Sequence, residues 1–126
     1  MVLRFLTTTI FNGSPSPVQC RMIGALEEDA REIGRDIVVT CVEEGHGPND
    51  PHTKRRAFDI RTKDRTPLEI RAMYDRLKSS LGPKFTVLYE APSEPIDQLL
   101  KEIWYPYSNP TAPHIHIQLK ISYEYP

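Results

Sequence analysis

Apolar residues recur with two different periods along this chain, and the changes of period divide it into strands and helices. Val18, Met22, Leu26, Ala30 and Ile33 follow one another at helical spacing. Ser16-Pro17-Val18-Gln19 ahead of them has the form of a helix start, with Ser as N-cap, Pro in the first turn and Gln placed to close a capping box. Gly34 stands where a C-terminal cap glycine belongs. Thr66-Pro67-Leu68-Glu69 repeats the start signature before Ile70, Met73, Leu77 and Leu81, and Gly82-Pro83 stops this second helix. Ile96, Leu99, Leu100 and Ile103 predict a short third helix over 95–104. Strand-like runs lie between them. Residues 36–42 (DIVVTCV) are β-branched and read as a mostly buried strand, 57–61 (AFDIR) are short and alternating, 85–89 (FTVLY) form another strand, and 114–123 (HIHIQLKISY) alternate cleanly. Residues 2–8 read as a strand or an extended arm, and 43–54 and 105–113 as loops. With no internal repeat and no dividing linker, one domain over 1–126 is expected. The pattern predicts an α+β fold, a small, mostly antiparallel sheet with helices packed on one face.

Composition narrows the class. The chain has 126 residues, 39% of them hydrophobic, which is enough to bury a core. Sixteen Lys+Arg against seventeen Asp+Glu give a net charge of -1, which argues against a nucleic-acid partner. No apolar run approaches the ~20 residues that span a bilayer, so no membrane partner is expected. The first residues, MVLRFLTTTIFNGSPSP, lack the apolar core and cleavage site of a signal peptide, so the expectation is a protein that is cytoplasmic as synthesised. Twelve prolines cluster at loops and element starts. Cys20 and Cys41 lack the spacing of a structural zinc site and read as two buried thiols, one on a helix and one on a strand, with a disulfide between them left open.

Candidate chemistry lies with the four histidines, His46, His52, His114 and His116. Residues i and i+2 of a strand share a face, so His114, His116, Gln118 and Lys120 form one polar row while Ile115, Ile117 and Leu119 face the core. Two imidazoles so placed can act on one metal or one substrate, and they also suit the surface of an amphipathic edge strand. Asp59, between Phe58 and Ile60, needs a cation or hydrogen bonds to offset its desolvation. A salt bridge to Arg55, Arg56 or Arg61 is one answer. Zinc is another, since it takes imidazole nitrogen and carboxylate oxygen and in catalytic sites keeps a fourth position for water.

These residues resemble a family. The stretch from Val39-Thr40-Cys41 through Gly45-His46 to His52-Thr-Lys-Arg-Arg-Ala57-Phe58-Asp59-Ile60-Arg61 resembles the first metal motif of the zinc D-alanyl-D-alanine carboxypeptidases, Ser-x-His-x-x-Gly-x-Ala-x-Asp. His52, Ala57 and Asp59 fall on its His, Ala and Asp, and Pro113-His114-Ile115-His116-Ile117 resembles the second motif, His-x-His. Lysostaphin-type endopeptidases and the Hedgehog signalling domain share that fold. The resemblance covers 18–122 and implies a Hedgehog/DD-peptidase type fold. It implies zinc held by His52, Asp59 and His116, and His114 as the catalytic or outer histidine, with the order of His114 and His116 open. It further implies hydrolysis of bacterial cell-wall peptides by a D,D- or L,D-carboxypeptidase or endopeptidase, reached by a phage-type release route.

The chain also departs from the pattern. Asp50 replaces the motif Ser, Arg55 replaces its Gly, and Glu43-Glu44 occupy the region of a substrate-gripping Arg. Thr111 and Pro113, three residues before the histidines, cannot act as a base. Glu90, ending the FTVLYE run, is the replacement base, with Glu43, Glu44 and Asp50 as weaker alternatives. Arg55, Arg56 or Arg61 would bind a substrate carboxylate. Two other classes stand beside the peptidase. One is a zinc- or peptide-binding module of the same fold without a base. The other is a structural or interaction protein using Trp104, Tyr105, Tyr107, Tyr123 and Tyr125 as a partner surface.

Overall fold

A computed structural model describes residues 2–6, 9, 11, 13–43, 49–120 and 122–123. His46, Glu44 and Tyr125 lie outside the described residues. Both helix starts form as their sequences dictate. In α1 (Pro17–Ile33) the Ser16 hydroxyl accepts from the Gln19 amide and the Gln19 side chain accepts from the Ser16 amide. Thr66 and Glu69 repeat the exchange at α2 (Pro67–Leu81). Each box satisfies amides that an isolated helix end leaves unpaired. Gly34 closes α1 in the left-handed conformation, at φ 68°, which glycine adopts without a Cβ clash.

Among the described residues, five strands make one mixed sheet. β1 (Leu3–Phe5) pairs parallel with β2 (Ile37–Cys41). β2 with β3 (Ala57–Arg61), β3 with β5 (His114–Leu119), and β5 with β4 (Phe85–Glu90) all pair antiparallel. The order is β1-β2-β3-β5-β4, so the His-x-His strand lies inside the sheet and not at its edge. Period-two alternation then separates the two faces. Ile37, Val39, Phe58, Ile60, Val87, Ile115 and Ile117 are buried in a core shared with Met22, Leu26, Met73 and Leu77 of the helices. Cross-strand register sets Asp59 opposite His116, and Glu90 opposite His114, on the face away from that core.

One irregularity changes which residues share that second face. Val39 pairs with Ile60, yet Cys41 pairs with Asp59, so two residues of β2 advance against one of β3. This bulge moves Cys41 from the core side to the side of Asp59. Cys41 is accordingly half-buried, Cys20 is exposed, and no disulfide joins them, which corrects the expectation of two buried thiols.

Two element boundaries also differ from the sequence reading. The third helix is a single turn, α3 (Gln98–Lys101), capped by Asp97, whose carboxylate accepts from the Leu99 amide. Ile96 is 97% exposed and stands outside its apolar stripe, and the chain after Ile103 turns back to the sheet, where the Tyr105 amide donates to the Tyr89 carbonyl. β5 stops at Leu119 because the chain turns there, and the Arg56 guanidinium gathers the carbonyls of Leu119, Lys120 and Tyr123. Among the described residues, no helix is long and apolar enough to cross a membrane.

Candidate metal centre

The sheet face away from the helices brings three imidazoles onto two carboxylates. His52 is buried at the end of its turn, and its Nδ1 lies 3.0 Å from the Val42 carbonyl. A carbonyl only accepts, so Nδ1 carries the proton and Nε2 is the inward nitrogen, 3.3 Å from Asp59 Oδ1. His116 is arranged the same way with its nitrogens exchanged. Its Nε2 donates to Gln118 Oε1 at 2.7 Å, and its Nδ1 faces Asp59 Oδ1 at 2.8 Å. The two rings meet edge to face with centroids 5.0 Å apart. His114 donates from Nδ1 to the Ala112 carbonyl at 3.1 Å, and its Nε2 lies 2.9 Å from Glu90 Oε1 and 3.6 Å from Asp59 Oδ1.

Each histidine therefore commits its outer nitrogen to an oxygen acceptor and turns the other toward carboxylate. A neutral imidazole in that pose presents a lone pair to an anion, which is unfavourable. The cluster needs positive charge between the rings and Asp59, supplied by protons or by a metal ion. Burial alone would raise the Asp59 carboxyl, but hydrogen bonds from His116 and His52 and the neighbouring imidazole charge hold it well below the ordinary carboxylate range. Glu90 is lowered too, because its hydrogen bond to His114 and the charges of His116 and His114 outweigh burial. Burial would lower His114 and His116, yet bonds to Glu90 and Asp59 respectively raise both.

The residues fit a metal in two overlapping groups, with His52 in one and His116 in the other. Imidazole and carboxylate arms of about 2.1 Å at tetrahedral angles set neighbouring donors roughly 3.4 Å apart, close to the His52–Asp59 spacing. Metal-bound histidines characteristically give their second N–H to a carbonyl or carboxylate, as His52 and His116 do here. Two groups of donor atoms, each within 4.8 Å of one another, overlap at Asp59: Cys41 with His52 and Asp59, and Asp59 with Glu90 and His116.

The remaining sequence candidates separate clearly. Asp50 accepts from the His52 amide at 2.9 Å, holding the turn that delivers His52, a task a serine hydroxyl also performs. Arg55 has φ 63°, a left-handed backbone that favours glycine, at the position where the motif has Gly. Its guanidinium goes to Glu43, 3.3 Å away, and to the Ser14 carbonyl. Glu43 also accepts from Gln19 and is buried in this bridge, which takes it out of contention as a base. Arg56 is committed to the end of β5. Neither arginine bridges Asp59, whose ion-pair partners are the imidazoles. Arg61 alone of the three lines the groove beside the centre, about 620 Å³ in volume, together with Cys41, Asp59, Lys63, Thr111 and His114. Cys41 is the residue the sequence reading missed as a member of the site, because a bulge leaves no mark in the alternation of residues 36–42.

No protein-family model, curated protein or solved structure matches the chain.

Proposed function

We propose that this chain is a zinc-dependent peptidase of the Hedgehog/DD-peptidase type that hydrolyses amide bonds of bacterial cell-wall peptides. The observation that carries the reading is the convergence of His52 Nε2 and His116 Nδ1 on one oxygen of Asp59, each with its other nitrogen already donated. His52, Asp59 and His116 would hold the ion, as the resemblance of their two motifs implies. When bound, zinc supplies Lewis acidity, bringing the pKa of a water to about 7 and polarising an amide carbonyl. Glu90 is placed to take the water's proton and return it to the leaving amine. His114 orients Glu90 through their 2.9 Å contact, and in its protonated form it stabilises the developing oxyanion. Arg61, in the groove, is the arginine of the three placed to pair with a substrate carboxylate, while Arg55 and Arg56 serve the frame.

The test is hydrolysis of stem peptides and cross-linked cell-wall fragments by the zinc-loaded chain, beside Glu90→Gln. Release of D-alanine or of a cross-link amine by the parent, with Glu90→Gln inactive but still zinc-bound, is the expected result. Zinc binding with no cleavage by the parent would assign the chain to the non-catalytic binding modules. Failure to bind zinc would leave a structural or interaction role.

A further inference from the structure

Cys41 belongs to the metal centre by position, although neither metal motif includes it. We propose that its thiolate is a ligand of the bound ion beside His52 and Asp59, in a mixed sulfur, nitrogen and oxygen set. The inference rests on the metal centre proposed above. It makes the site one for a thiophilic ion such as zinc, cobalt(II) or cadmium in preference to magnesium, calcium or manganese.

Three observations converge on it. The bulge in β2 turns Cys41 out of the core register and sets it opposite Asp59. Its sulfur then lies within 4.8 Å of a donor atom of His52 and of Asp59, close enough for one ion to draw all three together. The next residue, Val42, supplies the carbonyl that fixes the His52 proton on Nδ1. Two adjacent residues thus provide a donor to the ion and the acceptor that aims another donor, so the bulge serves both.

A nucleophilic Cys–His–Asp triad does not fit the same residues. Such a triad needs one histidine nitrogen for the thiol and the other for the aspartate. His52 has already given Nδ1 to Val42 and turns Nε2 to Asp59.

The test uses the full chain carrying Cys20→Ser, so that Cys41 is its only thiol. Cobalt(II) titration should produce visible ligand-field bands together with a near-ultraviolet thiolate-to-cobalt charge-transfer band that saturates at the same stoichiometry. Adding Cys41→Ser should remove the charge-transfer band while the visible bands remain. A second readout needs no change at position 41. Alkylation of Cys41 by iodoacetamide should slow about tenfold or more when zinc is added, because a metal-held thiolate is a poor nucleophile. Cobalt binding without the charge-transfer band, or an alkylation rate that zinc leaves unchanged, would overturn the assignment of Cys41 and spare the His52–Asp59–His116 centre. Absence of any cobalt or zinc binding would overturn both.

Discussion

Asp29 and Asp59 are both withdrawn from water, and their surroundings differ in kind. Asp29, on α1, has a side chain only 2% exposed and pairs with Arg76 of α2. Its Oδ2 has no hydrogen-bond partner among the described residues, and burial, acting against Arg76, raises its carboxyl. Asp59, on β3, has a side chain 13% exposed, meets three imidazoles and is held well below its ordinary range. A permanent guanidinium can offset a buried carboxylate and do nothing else. Imidazoles are exchangeable, since a proton on the inward nitrogen can give way to a metal ion. Size does not distinguish the two places. The cleft between the helices, lined by Arg21, Glu28, Asp29, Glu32 and Arg76, encloses about 640 Å³ against about 620 Å³ at the groove beside Asp59. The chemistry of the partners separates a helix clamp from a candidate active centre.

Substitutions at the two aspartates break the comparison most sharply. Asp59→Ala removes the oxygen on which His52 and His116 converge, and zinc content should fall from about one equivalent per chain to almost none by elemental analysis. Glu90→Gln should lower kcat by about 10²–10⁴, measured as peptide release under saturating substrate with the zinc content of each sample determined. Arg61→Ala should raise KM about tenfold for peptides with a free carboxylate and leave kcat close to the parent's. Asp29→Ala should leave zinc and hydrolysis intact. It should lower stability by about 1–2 kcal/mol in urea denaturation, a modest figure because Arg76 remains 34% exposed.

The smallest effect is the pH profile of metal-free stability. Asp59 and Glu90 are lowered in the folded chain, so their contribution is present above the ordinary carboxylate range and is lost as pH falls. His114 and His116 are raised, so theirs is complete below about pH 6.5 and is lost as pH climbs through their folded values. Thermal melts should therefore peak between about pH 4.5 and 6.5 without metal, and zinc should move the optimum upward by replacing the protons.

The helices were legible because their signals are local. Ser16/Gln19 and Thr66/Glu69 satisfy amides within one turn, and no distant contact can reassign them. The polar face of β5 was legible for the same reason, since His114, His116 and Gln118 alternate with buried isoleucines and leucine. What depends on partners was not. That β5 lies inside the sheet follows from pairing with both β3 and β4, which no residue of 114–119 specifies. Glu90 and His114 are separated by 91–113 in sequence, yet antiparallel register sets them side by side. Arg55, Arg56 and Arg61 look equivalent in TKRRAFDIR. A left-handed backbone at Arg55, the turn after β5 at Arg56, and the groove at Arg61 give them separate tasks. The third helix shortened because Ile96 lies outside the buried stripe and Trp104 returns to bridge with Tyr89.

Metal content tests the central assignment most directly. The untagged chain and His116→Ala, purified without chelator and dialysed against micromolar zinc, should be compared for zinc per chain. About one equivalent in the parent, with a clear loss in His116→Ala, is the predicted result. A parent that holds no zinc after dialysis would contradict it and leave the three imidazoles and two carboxylates as a hydrogen-bonded cluster.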